Sequence, residues 1–368
     1  MAAVRVAVVV EPSWHDVPGG TALAALAVMR ELAGRPGEVD QIGVAAWHRS
    51  TPPAPFAPPM PVRHLPLPRA LLYESWLRAR QPHVQLVTGR VDVVHAPNII
   101  VPPAGRAGLA VTVHDLAFLH DPSHFSAHGL SVFRRSLDLV RRRADLVLCP
   151  SMTVLDDCVA HGIGPERLRY VPNGVAPQET VGPAEVARVR TTYGLVRPYV
   201  LFNGTIEPRK NLGRLVEAMR LLVSDGHDLD LVLAGPPGWG DVFAPPQGEL
   251  AARVRAVGFV PEDDLRALFA GAAAFCMPSL REGFGLPILQ AMAQRAPVVT
   301  SAGSSTQEVA GGAAVLVDPL DAHDIARGIV EAMARADELV PLGLARVAEM
   351  TWSRSADLTL AAYRELAT

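Results

Sequence analysis

Lysine is almost absent from this chain. Of 34 basic side chains, 33 are arginine, and the exception is Lys210. Arginine serves every ordinary solvated position, so the one compact, strongly hydrated ammonium stands out as a candidate for chemistry that a planar guanidinium does not replace. A chain rich in Ala, Arg and Pro also loses lysine by composition, so the setting of Lys210 has to decide. Cysteine is scarce too. Cys149, Cys158 and Cys276 are three, unpaired by number and without C-x-x-C spacing, which argues against a disulfide framework and a zinc site and points to a reducing, cytoplasmic compartment. Neither sign of charge dominates. A net charge of −3 leaves no global basic field of the nucleic-acid-binding kind. The N-terminal apolar run, Val4 to Val10, is too short to span a bilayer and contains Arg5. It leads into Pro12 and Gly19-Gly20 without a small-residue cleavage pattern, so it predicts a strand and not a signal peptide. Any membrane contact is then peripheral, at the inner face.

What is present suits two soluble α/β domains. The chain has 368 residues, 49% hydrophobic and 19% charged, too long for one typical core. Val4–Val10, Ile42–Ala46, Val91–His95, Leu109–Val113 and Leu146–Cys149 read as buried strands. Tyr199–Asn203, Leu229–Ala234, Val254–Phe259, Ala273–Met277 and Pro297–Thr300 repeat the pattern. Helical periodicities such as Gly20–Leu32, Leu212–Leu222 and Asp264–Ala270 lie between them, implying parallel βαβ units. Pro172-Asn173-Gly174, Pro177, Gly182-Pro183 and Pro198 mark a boundary near 175–197. Pro52 to Pro68 holds eight prolines in seventeen residues, excluding helix and sheet interior and predicting an extended surface connection, with a polyproline-binding partner as the second reading. Ser355–Leu366 reads as a last helix with Ser353 as its N-cap.

Ligands of open parallel sheets bind beyond the carboxyl ends of the strands, and with two sheets the natural site is the cleft between them. Four loops meet that test. Pro18-Gly19-Gly20-Thr21 joins the first strand to the first helix, where glycines admit close backbone approach and a helix N-terminus favours an anion; a tight turn alone explains it equally well. Glu207-Pro208-Arg209-Lys210-Asn211 brings a guanidinium fork, a mobile point charge and a helix N-terminus together, a set that suits a diphosphate. Glu282-Gly283-Phe284-Gly285-Leu286-Pro287 offers a carboxylate for sugar hydroxyls and glycine-rich backbone for an anion. Thr112-Val113-His114-Asp115-Leu116 would bring His114 to the cleft from the opposite side. His120, His124 and His128 have helical spacing, but Pro122 breaks the helix and argues against a metal site. Asp228-Leu229-Asp230 precedes its strand and is not placed to hold a metal-bound nucleotide. Arg134, Arg135, Arg141, Arg142 and Arg143 read as a solvated helix face, with anionic lipid headgroups as the second option.

With these residues in view, the chain resembles the retaining GT-B glycosyltransferases of glycosyltransferase family 4. The carriers are Gly19-Gly20, His114-Asp115, Val171-Pro172-Asn173-Gly174-Val175, Gly204-Thr205-Ile206-Glu207-Pro208-Arg209-Lys210-Asn211, Gly258-Phe259-Val260, Glu282-Gly283-Phe284-Gly285-Leu286-Pro287, and Glu308-Val309-Ala310-Gly311-Gly312. The resemblance covers nearly the whole chain and is strongest from 199 to 320. It implies an α/β fold of GT-B architecture, with two Rossmann-like domains facing each other across a cleft. Residues 1–177, joined by a C-terminal helix at 351–368 that crosses back, would bind the acceptor. Residues 178–350 would bind a nucleotide-diphosphate sugar, used as co-substrate without metal or other cofactor. Arg209 and Lys210 would stabilise the departing diphosphate, and Glu282 would bind donor-sugar hydroxyls. Backbone from Gly283 through Phe284 and Gly285 to Leu286 would meet phosphates and sugar. The Gly258-Phe259-Val260 turn would meet the base, and His114 would lie beside the donor sugar.

Two positions depart from the family pattern. Gln290 stands where many members carry a glutamate that holds the ribose, and Thr205 stands where some place a phosphate-binding arginine. The implied activity is transfer of a hexose, with mannose from GDP-mannose as the donor expected from family membership, to a glycan, lipid-linked or small natural-product acceptor. A non-catalytic sugar-nucleotide binder or partner subunit, and an isomerase or phosphorylase of the same architecture, are the alternatives.

Overall fold

The computed structural model describes residues 2–15, 19–176, 178–238 and 246–368. The chain divides into two compact units. The first comprises Met1–Gly174 and Trp352–Thr368, and the second Val175–Thr351. Sequence set the boundaries at 177/178 and 350/351. The structure moves them because Val175 already pairs with the second unit: its amide donates to the Met350 carbonyl at 2.9 Å, and it forms a parallel bridge with Thr351. Pro177 lies outside the described residues.

In the first unit, seven parallel strands run β1 (Val4–Val9), β2 (Val39–Ala45), β3 (Val62–His64), β4 (Val93–Ala96), β5 (Gly108–Thr112), β6 (Leu146–Cys149) and β7 (Leu168–Tyr170), ordered β3-β2-β1-β4-β5-β6-β7. Successive side chains of a strand point to opposite faces. Val4, Val6, Val8 and Val10 therefore pack under Leu26, Met29 and Leu32 of the helix Gly20–Ala33 and under Leu360 and Tyr363 of the last helix, Trp352–Leu366. Ala7 and Val9 face the other layer, built on Leu72, Trp76 and Leu137. The last helix is tied down by polar contacts as well. Arg35 pairs with Asp357 at 2.5 Å, Arg364 with Glu38 at 2.6 Å, and Ser355 donates to the Pro172 carbonyl. Ser353, the expected N-cap, lies inside that helix, and its hydroxyl accepts from Arg35 at 3.2 Å.

The second unit has six parallel strands, β8 (Tyr199–Asn203), β9 (Asp230–Ala234), β10 (Val254–Gly258), β11 (Ala274–Met277), β12 (Val298–Ser301) and β13 (Val315–Val317), ordered β10-β9-β8-β11-β12-β13. Both orders reverse direction at the first strand of the unit, so the topological switch points lie at β1/β4 and β8/β11. The three strands that the sequence pattern did not predict are β3, β7 and β13. Each is three residues long and forms a sheet edge, where pairing on one side suffices and a long apolar run is not needed. β3 lies inside the proline-rich stretch, in keeping with the confinement of proline to edges. Among the described residues no helix is long and apolar enough to cross a membrane.

The loops at the carboxyl edge of the second sheet are laced by backbone. The Gly204 amide donates to the Ala234 carbonyl at 3.0 Å, Ile206 to Pro236 at 3.0 Å, and Gly235 to Gly258 at 2.7 Å. Gly235 sits at φ +143°, and a Cβ there would lie 2.1 Å from the Gly204 carbonyl oxygen. Only glycine fits both the conformation and the gap. Gly235→Ala is therefore expected to cost about 2 kcal/mol or more of stability, read as a lowered urea midpoint. An unchanged midpoint would contradict the close approach of these loops.

Candidate active site

The switch point of the second unit carries the charged site. β8 is buried through Phe202. The chain then turns at Gly204 (φ +151°), makes one 3₁₀ turn over Pro208–Lys210, and enters the helix Leu212–Ser224 through Asn211, a left-handed residue at φ 62°. Asn211 is held in that conformation by its side chain, whose Nδ2 donates to the carbonyls of Pro278 at 2.9 Å and Pro319 at 2.6 Å. The loop after β11 is clamped alongside: the Leu280 amide donates to the Arg209 carbonyl at 2.9 Å, and Ser305 Oγ donates to the Glu282 carbonyl at 2.6 Å.

These clamps bring Arg209, Lys210 and Glu282 together. Lys210 Nζ donates to Glu282 Oε1 at 2.6 Å, and Arg209 Nη1 donates to Glu282 Oε2 at 2.6 Å. Arg209 Nε also pairs with Glu207 Oε1 at 2.5 Å. Lys210 is 7% exposed, Glu282 8% and Glu207 3%. The single lysine is thus an inward-facing cation. Burial pushes the Glu282 carboxyl up, but the nearby Lys210 and Arg209 charges outweigh it and hold its pKa at about 2. Sequence aimed Glu282 at sugar hydroxyls; in the structure each of its oxygens is met by a cation.

Most of the other residues named from sequence lie on the same unit. Gly285 is left-handed at φ +104° and opens the helix Leu286–Ala293, which carries Gln290. Phe284 packs into the core. Gly283 precedes it and Leu286 begins the helix. Gly258 ends β10 at φ +71°, Phe259 is 71% exposed and Val260 is buried. Thr205 lies between the laced Gly204 and Ile206. Sequence alone assigns no role to Glu207 and Asn211. They prove to be the partner of Arg209 and the clamp between three loops.

In the first unit His114 follows β5. Its Nε2 donates to the Pro97 carbonyl at 3.0 Å, and burial holds its pKa below the ordinary value. A neutral ring that donates through Nε2 presents Nδ1 as an acceptor. His95, which sequence did not single out, lies beside it around a cavity of about 40 Å³ also lined by Thr112, Asn173 and Tyr363. His95 Nδ1 bonds Tyr363 Oη at 2.7 Å and Nε2 bonds Thr112 Oγ1 at 2.9 Å, and burial depresses its pKa to about 3. Gly19 caps the helix Gly20–Ala33, and a Cβ on Gly19 or Gly20 would meet none of the described residues within 4 Å. Pro18 lies outside the described residues.

Of the discounted groups, His120 and His124 lie in separate short helices and His128 in a third, Ala127–Arg143. On that third helix Arg135 pairs with Glu74 at 2.9 Å and Arg141 with Asp138 at 2.9 Å, while Arg134, Arg142 and Arg143 are exposed. Asp230 begins β9, buried, with Arg197 at 3.6 Å and Arg255 at 3.8 Å. Among the described residues no group of three or more His, Cys, Asp or Glu is arranged to hold a metal ion.

The model of the "Glycosyltransferase Family 4" domain matches residues 18–179, and that of "Glycosyl transferases group 1" matches residues 197–335. The chain is 32% identical over 293 residues to O-antigen chain mannosyltransferase B of Escherichia coli, covering 74% of each. It is 30% identical over 237 residues to the serotype-specific mannosyltransferase WbdA of the same organism, spanning 29% of that protein's length. Among solved structures, Anabaena HepE in complex with UDP and glucose superposes with a TM-score of 0.73 at 17% identity, covering 98% of this chain and 100% of that one. That likeness is one of fold: two parallel-sheet Rossmann-like domains of the GT-B class.

The triad generates a stability prediction. Lys210→Ala leaves a buried carboxylate short of a cation and is expected to cost about 3 kcal/mol. Adding Glu282→Gln removes the stranded charge and should recover most of that loss in urea unfolding. Because the folded pKa of Glu282 lies below its ordinary 4.5, its contribution is present above that value and is lost as pH falls toward about 2. Glu282→Gln should flatten the acid limb of the stability profile in that window. A double variant no more stable than Lys210→Ala would contradict the pairing.

Proposed function

This chain belongs to glycosyltransferase family 4, and we propose that it transfers a hexose from a nucleotide-diphosphate sugar to a glycan, lipid-linked or natural-product acceptor with retention of anomeric configuration. The observation that carries this reading is the pair of cations held at 2.6 Å on either oxygen of Glu282, at the switch point of the second sheet. Breaking the bond between the anomeric carbon and the diphosphate puts negative charge on the departing oxygen. Lys210 and Arg209 are cations already oriented for that charge, so little reorganisation is needed when it appears. Glu282 holds Lys210 in place through their 2.6 Å contact. The acceptor hydroxyl arrives on the face the diphosphate leaves, its oxygen bonds the anomeric carbon, and its proton passes to the departing phosphate.

The two side-chain cations occupy the role a divalent metal plays in other phosphate-leaving reactions, which supports a metal-independent reaction. Mannose from GDP-mannose is the donor we favour, because O-antigen chain mannosyltransferase B and WbdA are mannosyltransferases by name. The lack of side-chain crowding of Gly19 and Gly20 by the described residues supports close approach of donor or acceptor to the first helix N-terminus. A cytoplasmic location is supported by three free, buried cysteines, and the exposed Arg134, Arg142 and Arg143 support a peripheral contact with anionic lipid.

A second reading, a non-catalytic sugar-nucleotide binder, rests on Gln290, a neutral residue one turn into the helix that begins at Leu286. Thermal unfolding with a panel of UDP-, GDP- and ADP-sugars separates the readings when followed by donor consumption. A donor at a hundred times its Kd should add about 2.7 kcal/mol of stability, with GDP-mannose giving the largest shift. Transfer predicts that the donor is consumed with a mannose-bearing acceptor and that Lys210→Ala lowers turnover by at least about 100-fold. Binding without consumption, cured by Gln290→Glu, would favour the second reading. No shift with any nucleotide sugar would overturn both.

A further inference from the structure

The carboxyl ends of β1, β2 and β3 carry a built cluster of rings that nothing above uses. Past β1, one 3₁₀ turn over Glu11–Trp14 brings Trp14 against His48, stacked at 4.7 Å between centroids with planes 8° apart. His64, the last residue of β3, stands edge-on to both, 5.5 Å from Trp14 at 84° and 6.2 Å from His48 at 76°. One nitrogen of each ring is committed to the protein. Trp14 Nε1 donates to the Ser50 carbonyl at 2.7 Å, His64 Nδ1 to the Ala46 carbonyl at 2.7 Å, and His48 Nε2 lies 2.9 Å from Glu11 Oε1. Glu11 is fully buried, and its other oxygen accepts from the Ala46 amide at 2.7 Å. Trp47, next in the chain to His48, is 50% exposed, with the Arg49 guanidinium 5.5 Å above its ring.

Two of only five tryptophans thus sit at the sheet edge where open α/β folds bind ligands. A buried carboxylate and four polar contacts to side chain and backbone hold the rings rigid. Packing alone does not require this: the large aromatics that pack this chain, Trp76, Tyr199 and Tyr363, are fully buried, whereas His64 and Trp47 are exposed. Rigid ring faces set at right angles, with one nitrogen of each ring anchored, offer apolar flats at low ordering cost. A pyranose matches that surface: its C–H face lies on an aromatic ring while its hydroxyls meet donors such as the Arg49 fork.

We propose that Trp14, His48 and His64, with Trp47 and Arg49 at the rim, form a saccharide-binding subsite for the acceptor. This makes the acceptor a glycan and selects among the acceptor classes left open above. The proposal rests on the reading of the first unit as the acceptor-binding one. Its test needs no donor. α-Linked mannotriose is titrated into the full-length chain, with binding read by tryptophan emission and by saturation transfer to the sugar. Trp47→Ala removes an exposed ring, and Trp14→Leu, checked for an intact melting curve, removes the centre of the stack. At least one variant is expected to weaken mannotriose binding tenfold or more, and to raise the KM for a mannose-bearing acceptor by a similar factor while the Kd of the nucleotide sugar stays put. Unchanged mannotriose binding in both variants would overturn the subsite, as would displacement of the sugar by GDP or UDP alone. Mannotriose binding through these rings in a chain that consumes no nucleotide sugar would leave the subsite standing and overturn the transfer reaction.

Discussion

A buried carboxylate shared by two cations is the constraint on which the second unit depends. An isolated charge at the exposure of Glu282 would cost several kcal/mol to desolvate, and the contacts from Lys210 and Arg209 are what keep it ionised. The requirement works in both directions. The carboxylate holds the two cations in one geometry, so the loops after β8 and β11 have to stay in register. Asn211, Ser305 and the Arg209 carbonyl provide the polar clamps that keep them there. The same constraint gives a reason for the single lysine. A Cβ on Gly204 would lie 3.5 Å from Lys210 Cε and 3.8 Å from its Nζ, so the ammonium lies in a narrow slot under the turn. A guanidinium there would be wider, and Arg209 already holds the second carboxylate oxygen.

The first unit solves a different problem. Enclosed His95 and half-buried His114 are both held below the ordinary histidine pKa by desolvation. His95 is fixed between strand β5 and the last helix by Thr112 and Tyr363. The chain therefore offers a preorganised ion-paired site on one sheet and a neutral, hydrogen-bonded one on the other. That division suits a reaction in which charge develops on a leaving diphosphate while the acceptor stays uncharged.

Much of this was legible in the sequence, for identifiable reasons. Central strands such as Tyr199–Asn203 are buried on both faces and read as unbroken apolar runs. The three-residue edges β3, β7 and β13 carry no such signal. Arg209, Lys210 and Glu282 could be named because a charged residue at the carboxyl end of a buried parallel strand has few structural reasons to be there. Their mutual pairing could not be named, since sequence does not specify which of two loops a carboxylate turns toward. Asn211 directly precedes a helix, and its left-handed backbone sends the side chain across to Pro278 and Pro319, which lie far from it in sequence. His95 looked like one more strand residue because its partners, Thr112 and Tyr363, are distant in sequence.

The single lysine also makes the central claim directly measurable. Selective ¹⁵N labelling of lysine side chains gives one ammonium resonance, and GDP or UDP is titrated against it. The account predicts that the Lys210 signal is observable before addition because Glu282 protects it from exchange, and that it shifts and exchanges more slowly as the diphosphate binds. A nucleotide that binds while the Lys210 resonance stays where it was would contradict the account.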